Sequence, residues 1–326
     1  MEAGILLAGI AKNVKRAIPH VLNNADSYGR LFRCHKVLIV ENESSDGTKE
    51  LLRTWARKKP NRVLIEADHV RAPRSHQNPR GPDAPLLACF RNLYMERIDK
   101  ENNRLFPFVG VFDCDNLNVR PINRTSILAA VRFLIEEPSR AAVFANQRGF
   151  YYDTWALRQE AWCPEDCWRE YKLWCENGLA HKAKWACLGS RQIHIPAGAS
   201  PIEVKSGFGG FAIYRTDFLK EHRYRDFDEN GVVACEHVSL HREIRNRGGR
   251  LFIFPSMINS TPYEHIKRPR DFYYWYIRLR EIFSITTKEG HGAHPGKGTN
   301  WNCCAHLRND GCHYLRRPPH HPPGTI

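Results

Sequence analysis

No run in the 326 residues reaches the roughly 18 to 20 consecutive apolar side chains that a bilayer-spanning helix needs. The opening MEAGILLAGIAKN carries no basic leader and no small-residue cleavage site, so the expectation is a cytoplasmic protein without a secretory signal. Zinc-type cysteine spacing is also missing: Cys163, Cys167, Cys175 and Cys187 are separated by 3, 7 and 11 residues, unlike the usual structural sites. Eleven cysteines scattered along a chain without a leader read as free thiols. There is no helix-turn-helix, no RNA-recognition aromatic signature and no polybasic block. The net charge is +14, but the basic residues run from Lys12 to Arg317, which attracts acidic partners without specifying nucleic acid. A glycine-rich basic loop after the first strand is absent as well. Ala8 to Asn13 offers one glycine, too little to cradle a triphosphate, and this counts against a nucleotidyltransferase. No internal repeat is visible.

What remains is ordinary for an enzyme: 42% hydrophobic, 11% aromatic and 26% charged residues, enough to bury a full core. Apolar runs alternate with helix-period stretches over the first 120 residues, the pattern of βαβ units and a mostly parallel central sheet flanked by helices. Strands are predicted at 4–11, 35–40, 62–67 and 106–112, with helices at 15–32, 46–57 and 86–98. Four prolines mark 69–85 as a surface loop. A helix at 122–136 and a strand at 141–145 follow. From 146 to 235 periodicity fades and Trp, Tyr, Cys and Gly become frequent, which predicts a loop-rich half shaping a second substrate pocket. A helix at 235–247, a strand at 250–254 and an aromatic helix at 270–283 close the fold. Residues 284–326 are dense in Gly, Pro and His and are expected to be a disordered tail, its Cys303, Cys304, Cys312, His306 and His313 incidental.

The leading motif is Asp113-Cys114-Asp115 at the end of an apolar run. Carboxylates at i and i+2 on a strand end can approach one divalent ion, and that ion can hold a diphosphate. In open α/β sheets the carboxyl ends of strands are where ligands bind. The bland alternative is a solvated strand end.

Val40-Glu41-Asn42-Glu43-Ser44-Ser45-Asp46-Gly47-Thr48 resembles the second-strand signature of family 2 type glycosyltransferases, and Asn13 and Arg91-Asn92 fit the same pattern. With Tyr151 to Arg158 and Cys235-Glu236-His237, the chain is similar over about residues 4–283 to the fungal capsule-associated mannosyltransferase family. The resemblance implies a GT-A fold: residues 1–120 form the nucleotide-binding half, 121–283 the acceptor half, and 284–326 stand apart. It implies Mn²⁺ or Mg²⁺, a nucleotide-diphosphate sugar donor and a glycan or other hydroxyl acceptor. Asn13, Glu41 and Asp46 would line the nucleoside pocket, Arg91 and Asp113 would face the diphosphate, and Asp113, Asp115 and a late His265 would hold the metal. Asp46 equally suits a helix cap, and His265 equally suits a solvated loop.

The same likeness puts Asp153, Trp155 and Arg158, with Gly207, Phe208, Gly209 and Gly210, at the sugar and acceptor side; glycines admit close backbone approach and rings offer apolar faces to a sugar. The alternative for the glycine run is a bulged strand. Glu236 and His237 stand where inverting relatives carry a Glu-Asp pair whose Asp takes the acceptor proton. Either residue here is a candidate base, a retaining reaction would need neither in that role, and a polar helix start is the bland reading. The expected activity is transfer of a hexose, with mannose favoured weakly. Competing readings are a non-catalytic glycan- or nucleic-acid-binding module on the same scaffold and, less favoured, the nucleotidyltransferase.

Overall fold

The structure is a computed structural model that describes residues 1–70 and 83–260. The expected aromatic helix over 270–283, His265, the tail from 284 and most of the proline-rich loop lie outside the described residues.

The first half follows the sequence pattern. Strand β1 (Ile5–Ala11), helix α1 (Ile18–Gly29), β2 (His35–Glu41), α2 (Thr48–Arg57), β3 (Arg62–Glu66), α3 (Ala84–Asp99) and β4 (Phe108–Asp113) alternate as right-length βαβ units. Then come α4 (Arg124–Glu136), β5 (Arg140–Gln147), α5 (Cys167–Glu176), α6 (Ala180–Ala183), β6 (Ile202–Val204), β7 (Phe211–Arg215), α7 (Thr216–Leu219), α8 (Glu236–Asn246) and β8 (Arg250–Asn259). The eight strands form one sheet in the order β3-β2-β1-β4-β7-β5-β8-β6. β1 runs parallel to β2 and β4, β2 to β3 and β5 to β8. β7 is antiparallel to both β4 and β5, and β6 to β8.

Alternation along the strands assigns side chains to two cores. Leu6, Ala8, Leu38 and Val40 face one way and pack with Tyr94, Met95 and Ile98 of α3 and Leu240 and Ile244 of α8. Ile5, Leu7, Val37 and Ile39 face the other way, against Ile18, Val21 and Leu22 of α1, Leu52 and Trp55 of α2, and Ile127, Val131 and Leu134 of α4. Helices therefore cover both faces, as continuous apolar runs in parallel strands require.

The stretch 146–235 is loop-rich as expected, most of its residues lying outside helices and strands, but short elements stand within it. It holds α5, α6 and two strands, and β7 occupies the middle of the sheet with Ala212, Ile213 and Tyr214 fully buried. β8 also runs past its expected end at Phe254 to Asn259. A shift in its register against β5 falls between Ala145 and Asn146, and the irregularity sits beside Pro255, which cannot donate to the ladder.

Candidate active site

The carboxyl ends of β1, β2 and β4 open into a cavity of about 450 Å³, to which Ile10, Val40, Asp113 and Asp115 contribute from the strand ends, Leu86, Phe90 and Arg91 from α3, and Glu236 and His237 from α8. Asp113 is the last residue of β4. Its N–H donates to the Gly210 carbonyl at 3.0 Å. Asp115 opens a short 3-10 turn, its Oδ1 accepting from the Leu117 N–H at 2.9 Å. Asn118 ends that turn and donates to the carbonyls of Asp113 (2.9 Å) and Gly210 (2.7 Å), while Asn24 holds the Asn118 carbonyl at 2.9 Å. The strand end is thereby fixed to the glycine run of 207–210.

That run is held by further side chains. The Gly209 N–H donates to Asp153 Oδ2 at 2.9 Å, and its carbonyl accepts from Gln147 Nε2 (2.9 Å) and Asn259 Nδ2 (2.7 Å). Gly209 has φ of +66°, and a Cβ there would lie 2.2 Å from the Ala145 carbonyl oxygen. Gly210 has φ of +77°. Both positions call for glycine. Of the four residues, Phe208 is the one that lines the cavity.

Arg91 is buried, 3% exposed. Its Nε donates to Glu236 Oε1 at 2.8 Å, its Nη2 to Asp113 Oδ1 at 3.3 Å and its Nη1 to the Tyr94 hydroxyl at 3.4 Å. The guanidinium lies over the rings of Phe208 and Tyr224, at 5.1 and 5.6 Å from their centroids. Burial and the charge of Asp115 push the Asp113 carboxyl above the ordinary range, Arg91 opposes this, and Asp153 and Glu236 add to the rise. A second cation beside Asp113 would relieve that crowding.

His237 stacks on Phe208, centroids 4.0 Å apart and planes at 22°, and meets Tyr224 edge-on. Neither of its ring nitrogens has a hydrogen-bond partner among the described residues; Nε2 is 3.6 Å from Glu236 Oε1. Burial, then the charges of Arg91 and His241, hold its pKa well below the usual value. The ring is therefore neutral near pH 7. Glu236 differs, since Oε1 accepts from Arg91 and Oε2 from the Cys235 thiol at 3.6 Å. One helical turn further on, His241 is bonded on both sides: Nδ1 to the Ser206 hydroxyl and Nε2 to the Tyr214 hydroxyl, each at 2.9 Å.

The structure brings Arg91, Asp113, Asp115, Asp153, Trp155, Phe208, Glu236 and His237 to one cavity. Asn13, Glu41, Asp46 and Arg158 do not line it. Asn13 Oδ1 accepts from the Ser45 N–H at 2.9 Å, and Asp46 accepts from the Lys15 and Thr48 N–H groups at 2.9 and 3.0 Å. Bonding from the Thr48 hydroxyl, ahead of those N–H groups, keeps the Asp46 carboxyl low. Glu41, fully buried, accepts from the Ser44 N–H at 2.7 Å and lies 3.5 Å from Lys49 Nζ. Asn13 and Asp46 lock the loops after β1 and β2 to each other, and Glu41 braces the β2 loop from within. Arg158 pairs with Asp166 at 2.7 Å and donates to the Trp155 and Leu157 carbonyls, shaping the turn behind the aromatic wall.

Sequence reasoning did not single out Lys12, Tyr152, Trp168 and Gln192, which line the cavity, or Asn118, Gln147 and Asn259, which hold the carbonyls of Gly209 and Gly210. Asn42 belongs with them; its Oδ1 accepts from Lys12 Nζ at 3.2 Å. Asn118 was within reach, because it follows the acidic pair by three residues. Gln147 and Asn259 meet across 112 positions and leave no local signal.

Two carboxylates on a strand end are hard oxygen donors suited to Mn²⁺ or Mg²⁺. Among the described residues no group of three or more His, Cys, Asp or Glu side chains could hold an ion. The donor set fits an ion that takes most of its shell from water and phosphate oxygens. No helix among the described residues is long and apolar enough to cross a membrane.

No family model matches the chain, and no curated protein matches it in sequence. Solved structures with similar shape include the mannosyltransferase PcManGT from Pyrobaculum calidifontis in complex with GDP-Man and Mn²⁺, at 18% identity and a TM-score of 0.46 over 90% of this chain and 66% of that one. Residues 1–349 of S. aureus TarS follow, at 13% identity and a TM-score of 0.44 over 89% and 67% of the two chains. Glucosyl-3-phosphoglycerate synthase from Mycobacterium tuberculosis, in complex with UDP, has 12% identity and a TM-score of 0.39 over 86% and 78%. The chain thus spans about two thirds of the length of the first two. At this level the likeness transfers no residue role, and the site rests on its own geometry.

Proposed function

We propose that the chain is a metal-dependent glycosyltransferase of GT-A type that moves a hexose from a nucleotide-diphosphate donor to a hydroxyl of a glycan or other acceptor. The observation that carries this reading is the pair Asp113 and Asp115 at the mouth of β4, crowded with carboxylates and open to the cavity. The fungal capsule-type segments in the sequence favour mannose as the sugar.

Asp113 and Asp115 would hold Mn²⁺ or Mg²⁺, with His265 a further ligand on the strength of the resemblance. When bound, the ion supplies positive charge to the diphosphate as it leaves. Arg91 holds Asp113 by its Oδ1 at 3.3 Å. Lys12 and Asn42 present polar groups to the donor side, on loops that Asn13, Glu41 and Asp46 lock in place. Asp153 anchors the Gly209 loop, and Trp155 and Phe208 give the sugar and acceptor their apolar walls.

Of the two candidate bases, His237 has free hydrogen-bonding capacity and Glu236 is engaged on both oxygens. His237 accordingly takes the acceptor proton on a ring nitrogen as the acceptor oxygen bonds the sugar's anomeric carbon, while the bond from that carbon to the diphosphate oxygen breaks with its electron pair. Glu236, 3.6 Å away, stabilises the imidazolium that results. Inversion is the expected outcome. A screen of nucleotide sugars with Mn²⁺, reading released nucleoside diphosphate with and without saccharide acceptors, tests the assignment. Release from no donor, or release unaffected by chelator, would overturn it.

A further inference from the structure

The helical hairpin formed by α5, α6 and the following π-helical turn (Lys184–Leu188) serves two sides. Inward, Cys167, Cys187 and Leu188 make a small core of their own, and Trp168 and Leu188 reach the cavity wall. Outward, Leu173, Leu179 and Trp185 are 51%, 40% and 45% exposed. These are three of the nine large hydrophobic side chains exposed among the described residues, gathered within 13 positions. The core beneath them is too small to draw them in.

The exposed residues between them decide what covers this face. Lys182 and Lys184 are exposed between Leu179 and Trp185; of the other three basic residues of 167–191, Lys172 pairs with exposed Glu176, Arg169 with Asp228 and Arg191 with Glu170. Interface cores between proteins are depleted in lysine, because an ammonium group is costly to strip of water. A bilayer surface favours the mixture: Trp and Leu enter the headgroup boundary while lysine stems lie along the apolar surface with their charge at the lipid phosphates.

We infer that this hairpin docks the protein on an anionic membrane surface, with Leu173, Leu179 and Trp185 inserted at the headgroup level and Lys182 and Lys184 on the acidic lipids. Because Trp168 and Leu188 of the same hairpin wall the cavity, docking brings the membrane next to the site.

The test uses the full chain and extruded vesicles of phosphatidylcholine alone or with about one third phosphatidylserine, read by co-sedimentation. Binding is expected to the acidic vesicles and to weaken with salt. Trp185→Ala should reduce partitioning about tenfold, the loss of one large apolar side chain from the interface. The triple change Leu173→Ser, Leu179→Ser, Trp185→Ala should abolish it, and Lys182→Glu with Lys184→Glu should remove the preference for acidic lipid. Thermal midpoints of every variant are read beside wild type, so that a loss of fold is told apart from a loss of binding. No binding to either vesicle overturns the inference, as does binding unchanged in the triple variant, which would assign adsorption to charge elsewhere on the chain. Dimerisation in solution that the triple variant abolishes, without vesicle binding, would show that a second copy covers the face. None of these readouts requires glycosyl transfer.

Discussion

Arg91 Nε lies 2.8 Å from Glu236 Oε1, so that a guanidinium on α3 and a carboxylate at the first residue of α8 meet inside the molecule with side chains 4% and 2% exposed. The same guanidinium contacts Asp113 at 3.3 Å. One buried cation thus serves both the acidic strand end and the helix that brings His237 to the cavity.

Removing that cation strands two anions. Arg91→Met is expected to destabilise the fold by about 3–5 kcal/mol, the usual cost of breaking a buried pair from one side. Adding Glu236→Gln should return part of the loss, because the orphaned charge disappears with its partner. Urea unfolding of the two variants measures this; a single-variant loss below about 1 kcal/mol would count against a buried pair.

Asp115→Asn separates charge from architecture. An amide oxygen can still accept the Leu117 N–H that Asp115 Oδ1 accepts now, so the turn should persist and the thermal midpoint should hold. Turnover with Mn²⁺ should fall by about 10² to 10³ if the charge is used at the diphosphate. Near wild-type turnover would remove Asp115 from the metal site.

Two glycines with similar backbones should respond differently to a methyl group. At Gly209 (φ +66°) an added Cβ meets the Ala145 carbonyl oxygen at 2.2 Å, whereas at Gly178 (φ +76°) it meets nothing within 4 Å. Gly178→Ala should cost about 1 kcal/mol, the penalty of the left-handed conformation alone. Gly209→Ala should cost about 2–4 kcal/mol and displace the loop that Asp153 anchors. Equal losses in chemical denaturation would mean that the close approach at Gly209 relaxes freely.

Acid should act through His241. Burial, ahead of the charge of Arg245, lowers its pKa from 6.5 to about 3. Below pH 6.5 the unfolded chain takes up a proton that the folded chain refuses. The stabilisation is complete above that pH and is lost as pH falls toward 3, by up to about 1.4 kcal/mol per pH unit. His241→Gln cannot take up the proton, so the wild-type chain should lose about 2 kcal/mol relative to it between pH 7 and 5. Parallel stability curves for the two proteins would contradict a buried neutral ring.

Residues that form structure with near neighbours could be read from the sequence; those that meet across the chain could not. β1, β2 and β4 are apolar runs ending at turn or acidic residues, and their sites followed from where strands end. β7 is five residues, Phe211–Arg215, behind two glycines, and its partners β4 and β5 lie far away in sequence; nothing local marks it as the centre of a sheet. Helix α5 buries only Cys167 fully and packs in a small cluster apart from the two main cores, so no long apolar stripe marks it in the sequence. In the site, Asp113 and Asp115 announced themselves by position. The Arg91 pairing with Glu236 spans 145 residues, and the motif residues Asn13, Glu41 and Asp46 read as ligands although each accepts a loop N–H and none lines the cavity.

The central place of β7 governs when the molecule can assemble. β4 and β5 do not pair with each other; each pairs with β7. While the chain is leaving the ribosome, β4 and β5 therefore wait with raw edges until residues 211–215 have emerged and can slide between them. A nascent chain stalled before Phe211 presents two adhesive margins, the kind of template on which chains stick to one another. The arrival of β7 closes these two margins together, and the sheet is finished only when β8 in turn enters between β5 and β6.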